Sequence, residues 1–302
     1  MDFKSKIILI YGPTASGKSK FAIELAKKIK GEIINADSMQ VYKELKILSA
    51  RPYKKDYKNI KHHLYGFQSS KTNFSTGDWV KLVDKKIRDL RKRKKVPILV
   101  GGTGLYFKAL TEGLVNIPKI PIKIRTQIRS MHKKMGTKKF FSKLIKIDPL
   151  AKNNINPADT QRSIRAYEVK IFTKKSIFEW FKNTQSNYEK KDFYKIYIDF
   201  PRLELLKRIR IRTEEMIKNG ALQEVKRFIK LRIPASKTAH KAIGIHEVKE
   251  YLRKNIKKDE LVDKISIKTR QYAKRQSTWG RGNMLDWNKI NPNGLNKFLK
   301  KL

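Results

Sequence analysis

The segment GPTASGKS, residues 12–19, carries the residue types of a phosphate-binding loop. It fits the pattern G-x-x-x-x-G-K-[ST] between an apolar run and an amphipathic segment, which is a strong signal; the alternative is a chance glycine-rich turn. The backbone N–H groups of such a loop and the following helix N-terminus face phosphate oxygens. Lys18 would reach the outer phosphates, and Ser19 could ligate a magnesium ion. The predicted phosphate-binding residues are Gly12, Pro13, Thr14, Ala15, Ser16, Gly17, Lys18 and Ser19. The motif leaves open whose phosphates bind.

Two acidic residues follow apolar runs that could be strands. Asp37 comes after Ile33-Ile34-Asn35-Ala36, at the sheet edge where open α/β folds bind ligands. There its carboxylate could accept a proton from a nucleophile or orient the water shell of a metal. The alternative is an Asp-Ser pair that closes a turn as a helix cap. Asp199, followed by Pro201, is interpreted as a turn or cap residue.

Three basic segments are candidates for binding anions. Arg208 and Arg212 lie four residues apart and share a helical face, where a guanidinium could stabilise a diphosphate leaving group; a solvated cationic face is an equal alternative. Residues 158–165, ADTQRSIR, combine groups suited to base edges and phosphates. Residues 269–279, TRQYAKRQSTW, interleave cations with aromatic residues, as single-strand binders do. The competing interpretation of the last segment is a basic amphipathic helix with Tyr272 and Trp279 in the core.

The histidines do not have the spacing of a metal site. His62 and His63 are adjacent, and the chain has no Cys, so structural roles are expected. His240 and His246 flank a segment in which Gly244 suggests a close approach of the backbone to a ligand.

The elements that must position these residues alternate between strand and helix. This alternation predicts a parallel sheet flanked by helices. Residues 49–75 are polar and are predicted to form a surface excursion. The predicted strands are 7–11, 32–35, 96–100 and 195–200; the predicted helices are 18–30, 79–93 with Asp78 as its N-cap, 203–218, 222–231 and 258–276.

Residues 113–194 differ from the rest because their pattern predicts Lys- and Arg-rich helices separated by prolines. We therefore predict an α/β core formed by residues 1–112 and 195–302, with an all-helical insertion domain at 113–194.

The charge balance points to a polyanionic partner. The chain of 302 residues has 72 Lys and Arg against 27 Asp and Glu, a net charge of +45. Such a field attracts nucleic acid, whose phosphates release counterions on binding. Drift in an AT-rich genome is the alternative, but drift alone would leave acidic residues in balance.

The absence of Cys fits a reducing cytoplasm, and the short N-terminal apolar run predicts no signal peptide and no membrane span. Nothing indicates a large apolar interface, so a monomer is expected.

Seven stretches in order resemble one family: GPTASGKS, INADSMQVYK, HHL, ILVGGTGLYFKALTEGL, NPADTQRSIRAYEV, KAIGIHE and TRQYAKRQSTW. They are similar to the bacterial type of the tRNA isopentenyltransferase family from about residue 6 to residue 288. The resemblance implies a P-loop kinase-like fold with a helical insertion that contacts tRNA. It implies transfer of a dimethylallyl group from dimethylallyl diphosphate to N6 of the adenosine 3′ to the anticodon, in tRNAs that read UNN codons. Pyrophosphate would leave, and Mg²⁺ would assist.

The resemblance also implies residue roles. Asp37 would be the general base, Thr14 and Arg212 would contact the diphosphate or the reaction centre, and Ser19 would be the metal ligand. Ile245 and His246 depart from the family pattern, which makes these two less secure as contacts. Eukaryotic relatives carry a zinc finger that a chain without Cys cannot form. The residues that match tRNA-contacting positions are Asp37, Ser38, Met39, Gln40, Thr103, Arg125, Asp159, Thr160, Gln161, Arg162, Ser163, Lys241, Ala242, Ile243, Gly244, Ile245 and His246.

Two other functions share some of these features. An ATP-dependent kinase of a nucleotide or small molecule would use the same loop, but it leaves the basic insertion unexplained. The strand 96–100 also ends in glycines rather than in the Asp that such enzymes use to hold magnesium. A non-catalytic RNA-binding protein would not need the intact loop and the Asp-Ser pair.

Overall fold

A computed structural model describes residues 3–302, and a six-stranded sheet forms its centre. The order is β3-β2-β4-β1-β5-β6, and every neighbouring pair is parallel. In register, Ile8 lies beside Ile98 and Ile10 beside Ile196. The strands are β1 (Ile7–Tyr11), β2 (Gly31–Asn35), β3 (His62–His63), β4 (Val96–Gly101), β5 (Phe193–Ile198) and β6 (Asn288–Ile290).

The two faces of the sheet are both buried, which explains why β1 is a continuous apolar run rather than an alternating one. Ile8 and Ile10 pack with Phe21 and Leu25 on one face. Ile7 and Leu9 pack on the other face in a cluster that includes Trp79. The predicted parallel α/β fold is confirmed.

The described chain contains twelve α-helices. They are α1 (Lys18–Lys28), α2 (Thr76–Lys92), α3 (Gly104–Thr111), α4 (Ile122–Ile147), α5 (Ala151–Asn154), α6 (Thr160–Thr173), α7 (Ile177–Lys182), α8 (Arg202–Lys218), α9 (Ala221–Lys230), α10 (Ile245–Leu252), α11 (Lys258–Asn283) and α12 (Pro292–Lys300). None of these helices, within residues 3–302, has the length and apolar character needed to cross a membrane.

The chain divides into two compact units. The first contains the sheet and is formed by residues up to Thr111 together with Tyr188–Leu302; the second is Glu112–Asn187. The second unit consists of α4 to α7 around a core that includes Phe140 and Leu144. Gly136 interrupts α4 with a φ of 74°.

Three local predictions are wrong. The N-cap of α2 is Ser75 instead of Asp78, and the two residues form a reciprocal capping box in which Asp78 accepts the N–H of Ser75 at 2.9 Å. Residues 49–75 are more than a surface excursion, because β3 pairs with β2 and Ser70 is buried. Asp199 does not cap α8, because the N-cap of that helix is Pro201. The N–H of Asp199 donates to Ile290 O at 3.1 Å.

The boundaries at the C-terminal end also differ from the prediction. Helix α11 continues to Asn283, seven residues beyond the predicted end, and β6 was not expected. Gln276, the last residue of the predicted range, donates to Gly102 O after β4, and the extension places Trp279 against Tyr11 of β1.

Candidate active site

The phosphate-binding loop connects β1 to α1 at the carboxyl edge of the sheet. Gly17, the N-cap of α1, has φ 81°, a left-handed conformation that glycine adopts without strain. Ala15 is also left-handed, at φ 65°. Alternating conformations of this kind turn successive N–H groups toward one concavity, which is the geometry of an anion-binding nest. The loop therefore has the shape predicted for residues 12–19.

Lys18 lies in the first turn of α1 and folds back over the loop. Its Nζ donates to Pro13 O at 3.1 Å. Burial lowers the pKa of Lys18 to about 8; Asp37 opposes this shift and Arg212 adds to it. A depressed lysine pKa at a phosphate loop marks a cation that lacks an anionic partner strong enough to offset its desolvation. A bound diphosphate would supply that partner.

Two buried polar atoms at this site have no hydrogen-bond partner in the part of the chain that the structure describes. They are Ser16 Oγ in the loop and Arg212 Nε on α8. Burial also lowers the pKa of Arg212, against the effect of Asp37. Unsatisfied buried donors are costly and call for an explanation such as a missing ligand. A bound anion could accept a hydrogen bond from a donor of this kind.

Asp37 follows β2 and is held by its neighbours. Its N–H donates to Asn35 Oδ1 at 2.9 Å, and its Oδ1 accepts the N–H of Met39 at 2.9 Å. The turn considered as the alternative role therefore exists, but it uses one carboxylate oxygen. Among residues 3–302, no hydrogen bond reaches Asp37 Oδ2, which leaves it available to accept a proton.

The turn after β4 lies against the Asp37 segment. Thr103 Oγ1 accepts the N–H of Ser38 at 2.9 Å and donates to Ser38 Oγ at 3.3 Å. Thr103 N–H donates to Ala36 O at 3.3 Å. These contacts bring the predicted residues 37, 38 and 103 together at one place. Met39 and Gln40 follow in the same segment, and Gln40 Nε2 donates to Ser49 O at 3.0 Å.

Helix α11 supplies residues that were not predicted as part of the site. Gln276 is 4% exposed; its Oε1 accepts the N–H of Thr14 at 2.8 Å, and its Nε2 donates to Gly102 O at 2.8 Å. Because the Thr14 N–H is occupied, a contact of Thr14 with the diphosphate would be made by its hydroxyl. The signal for Gln276 was its place in the TRQYAKRQSTW segment.

Three tyrosines surround the carboxylate of Asp37. Burial raises the pKa of Tyr65, Tyr106 and Tyr272, and the charge of Asp37 raises each further. Tyr272 is also hydrogen-bonded to Thr103 and Gln276. All three phenols therefore stay neutral near pH 7, so they can line a pocket for an uncharged base or isoprenoid chain.

A cavity of about 660 Å³ opens between α8, α11 and the end of β5. Phe200 lines this cavity, and the Cζ atom of Arg208 lies 4.5 Å from the centre of its ring. Arg208 Nη1 also lies 3.6 Å from the position that a Cβ atom on Gly17 would occupy. Arg208 therefore lies near both a residue of the cavity wall and Gly17 of the phosphate loop. The charged residues that line the cavity are Asp199, Arg202, Arg270, Lys274 and Arg281.

The segment 241–246 is only partly accessible. Lys241 and His246 are exposed, and Ile243 is half-buried, whereas Ala242 and Ile245 are buried in a core cluster. The close approach predicted for Gly244 is to the protein itself, because a Cβ at φ 105° would stand 2.6 Å from Leu48 Cδ2. Packing against Leu48 accounts for the close approach at Gly244, and a ligand contact of this segment stays a prediction.

The second unit carries the remaining predicted tRNA contacts. Asp159 is the N-cap of α6 and accepts the N–H of Arg162 at 3.0 Å. Gln161 and Arg162 are exposed and Thr160 is half-buried, whereas Ser163 is buried. The accessible side chains at this helix start are therefore an amide and a guanidinium.

Arg125 belongs to a group of three arginines around one buried carboxylate. Glu168 is 1% exposed, and its oxygens lie 3.6 Å from Arg125 Nε, 3.4 Å from Arg129 Nε and 3.6 Å from Arg165 Nη1. One carboxylate cannot neutralise three guanidinium groups, so a net positive surface remains. Glu168 was not identified from the sequence.

Comparisons with known proteins agree with this arrangement. The family model of IPP transferase matches residues 40–283. The chain belongs to the IPP transferase family. A tRNA dimethylallyltransferase of Pelagibacter ubique is 57% identical over 302 residues, which is 100% of this chain and 96% of that protein. One of Rickettsia massiliae is 45% identical over 285 residues, covering 94% and 78%.

Solved structures of IPP transferase relatives show the same fold. The tRNA isopentenylpyrophosphate transferase of Bacillus halodurans has a TM-score of 0.70 at 30% identity, covering 98% of this chain and 95% of its own. A eukaryotic dimethylallyltransferase, captured acting on tRNA, has a TM-score of 0.82 at 26% identity, covering 95% and 73%. The family resemblance inferred from the motifs is confirmed.

Proposed function

We propose that the protein transfers a dimethylallyl group from dimethylallyl diphosphate to N6 of the adenosine 3′ to the anticodon in tRNAs that read UNN codons. The observation that carries this proposal is the placement of Asp37 beside a cationic phosphate loop. A free carboxylate oxygen next to Lys18 and Arg212 suits a proton acceptor near a leaving diphosphate.

The reaction follows from these groups. The N–H groups of the loop, Lys18 and Arg212 bind the diphosphate. As the bond between carbon 1 and the diphosphate oxygen breaks, the electron pair leaves with pyrophosphate, and the cations stabilise the charge that develops. N6 forms the new bond to carbon 1 and loses one proton to Asp37 Oδ2.

The adenosine must leave the anticodon stack to reach Asp37. Extrusion of a base costs a few kcal/mol, which contacts elsewhere on the tRNA anticodon stem-loop must offset. Exposed cations and amides such as Arg162 and Lys241 are suited to that task. The net charge of +45 adds a favourable long-range field.

Magnesium fits the residues present. Mg²⁺ keeps several waters and takes one or two protein oxygens together with substrate phosphates. Ser19 lies at the start of α1 beside the loop and could supply one such oxygen. Within residues 3–302 no group of three or more His, Cys, Asp or Glu could hold a metal alone. A single protein oxygen from Ser19 suits a metal ion that binds together with the diphosphate, rather than one coordinated by protein side chains alone.

The test is a product assay. Purified protein, dimethylallyl diphosphate, Mg²⁺ and a UNN-reading tRNA should yield N6-dimethylallyl adenosine at the position after the anticodon, detected by mass spectrometry of nucleosides. A tRNA that reads a different codon class is the control and should stay unmodified. Absence of the product, with ATP-dependent phosphorylation of a small molecule instead, would contradict the proposal.

A further inference from the structure

We infer that Gln276 is a positioning residue that fixes the spacing between the phosphate loop and the turn at Gly102–Thr103. The inference rests on the proposed function, because those two segments hold the donor and line the acceptor site. The side-chain partners of Gln276 are backbone groups of Thr14 and Gly102. Gln276 acts through the backbone on each side.

The geometry of Gln276 is that of a two-sided clamp. Its Oε1 accepts the N–H of Thr14 at 2.8 Å, and its Nε2 donates to Gly102 O at 2.8 Å. These contacts span 262 and 174 residues of sequence, so no local element imposes them. The side chain is 4% exposed, which shields both bonds from competition with water.

Gln276 has further hydrogen bonds to Tyr11 of the sheet and to Tyr272 of its own helix. Tyr11, the last residue of β1, donates from Oη to Gln276 O at 2.7 Å. Tyr272, one turn earlier on α11, is hydrogen-bonded to Gln276 and to Thr103. The main chain of Gln276 is therefore fixed to β1, and its side-chain amide joins the loop to the turn.

The amide of Gln276 satisfies both partners with one side chain. A side-chain amide carries one acceptor oxygen and one donor nitrogen, which is what a backbone N–H on one side and a carbonyl on the other require. A carboxylate would keep the Thr14 bond and lose the donor to Gly102 O. A thioether of similar length would keep the packing and lose both bonds.

The spacing matters because transfer needs carbon 1 of the donor and N6 of the acceptor at near-attack distance. A misplacement of about 1 Å can cost on the order of 10²-fold in rate. The bond to Gln276 uses the Thr14 N–H, so its loss removes no phosphate contact from the loop. The clamp should therefore govern the transfer step more than binding of either substrate.

The experiment compares Gln276→Met with Gln223→Met, a matched change at an exposed position of α9. We expect Q276M to lower the single-turnover rate at saturating donor and tRNA by about 30- to 100-fold. Its affinities for inorganic pyrophosphate and for tRNA, each measured alone, should stay within about threefold of the wild type, and Q223M should match the wild type throughout. An unchanged single-turnover rate in Q276M would overturn the inference.

A purely structural role gives a different pattern. It predicts that the affinity for pyrophosphate falls together with the rate, and that outcome also overturns the inference. Gln276→Glu provides the second variant should the Met variant fail to fold. It should lose the transfer rate at saturating donor while it keeps tRNA affinity, and a wild-type rate in Q276E would count against the clamp. If the wild type itself makes no product, the proposed function fails instead, so the two failures are distinguishable.

Discussion

At the scale of single residues, the site concentrates positive charge that Asp37 offsets only in part. Lys18 and Arg212 both have a lowered pKa, because burial outweighs their attraction to Asp37. Natural proteins accept such costs at functional sites, where the missing partner is the substrate. The two residue-scale predictions follow from this imbalance.

Replacement of Asp37 by Asn should abolish most of the transfer activity. An amide cannot take the proton from N6, and loss of a general base costs about 10²- to 10⁴-fold in rate. The affinity for tRNA should stay nearly unchanged, because the amide keeps the size of the side chain and its acceptor for the Met39 N–H. Single-turnover rates and tRNA binding are measured side by side. Asp259→Asn, at an exposed position of α11, is the control, and full activity in D37N would remove Asp37 from the mechanism.

Replacement of Arg212 by Met should separate stability from activity. The buried Nε has no partner in the described residues, so an apolar side chain of similar length removes a desolvation cost. We expect the free energy of unfolding of the ligand-free protein to rise by about 1 kcal/mol. The transfer rate should fall, because leaving-group charge loses a cation. Chemical denaturation and product formation are measured, with exposed Arg227→Met as control; a less stable R212M protein would mean that Arg212 has a structural role.

The sequence identified some residues and missed others for physical reasons. The loop, Asp37 and Thr103 were identifiable because their types and order form contiguous motifs. The contacts of Glu168 and Gln276 were not identified, because they depend on partners far along the chain. The group that approaches Gly244 could not be identified from the sequence, because a glycine indicates a close approach but not its partner, which here is Leu48.

At the scale of elements, the edge of the sheet depends on one buried carboxylate. Glu32 in β2 accepts from Arg93 at 2.7 Å and from the His63 ring of β3 at 2.6 Å. Burial opposes the charged form of Glu32, but the hydrogen bonds from Arg93 and His63 outweigh it and hold its pKa below the usual value. Burial lowers the pKa of His63, partly offset by Glu32. A two-residue strand therefore stays paired through side chains as well as backbone.

This edge should make the fold sensitive to acid. Since the folded-state pKa of His63 is below its unfolded value near 6.5, the unfolded chain binds the proton more readily as pH falls through that range. Stability should therefore drop from pH 7 to pH 5, and His63→Gln should flatten the drop. Urea denaturation at pH 7, 6 and 5 measures it, with exposed His246→Gln as control. An equal drop in H63Q and wild type would place the acid sensitivity elsewhere.

Most elements were predictable because apolar runs and amphipathic periods are local signals. Strand β1 was predicted with its observed bounds, and α1, β2, β4, α8 and α9 differ from the prediction by one or two residues at their ends. Strands β3 and β6 were not predictable, because two or three residues carry too little pattern and their pairing is long-range. The end of α11 was missed because Gly280 and Gly282 disfavour a helix locally, whereas packing of Gly280 against Tyr11 and Tyr197 stabilises it.

At the scale of the whole molecule, the net charge of +45 has two explanations with different consequences. A charge that serves tRNA binding neutralises phosphates, whereas compositional drift only raises the general field. The described residues offer exposed cations with defined surroundings, such as Arg162 at the start of α6. Salt titration distinguishes the two explanations.

We expect tRNA affinity to fall steeply with salt. With several phosphates neutralised, the dissociation constant should rise about 10³-fold between 50 and 200 mM monovalent salt. The measurement is fluorescence or filter binding of a UNN-reading tRNA, with log K plotted against log salt concentration. Because each phosphate contact contributes to the slope, its value counts the contacts. A flat plot would identify the excess charge as compositional drift.

A pair of variants tests whether position matters or only total charge. Arg162→Gln and Lys226→Gln each remove one exposed cation, the first from the predicted tRNA-binding segment and the second from α9. R162Q should reduce the magnitude of the slope by about 1, because one phosphate contact is lost. K226Q should shift affinity slightly and leave the slope unchanged, since a distant charge acts through the screened field alone. Equal slopes in the two variants would mean that Arg162 contacts no phosphate, and that the field rather than the helix start attracts the tRNA.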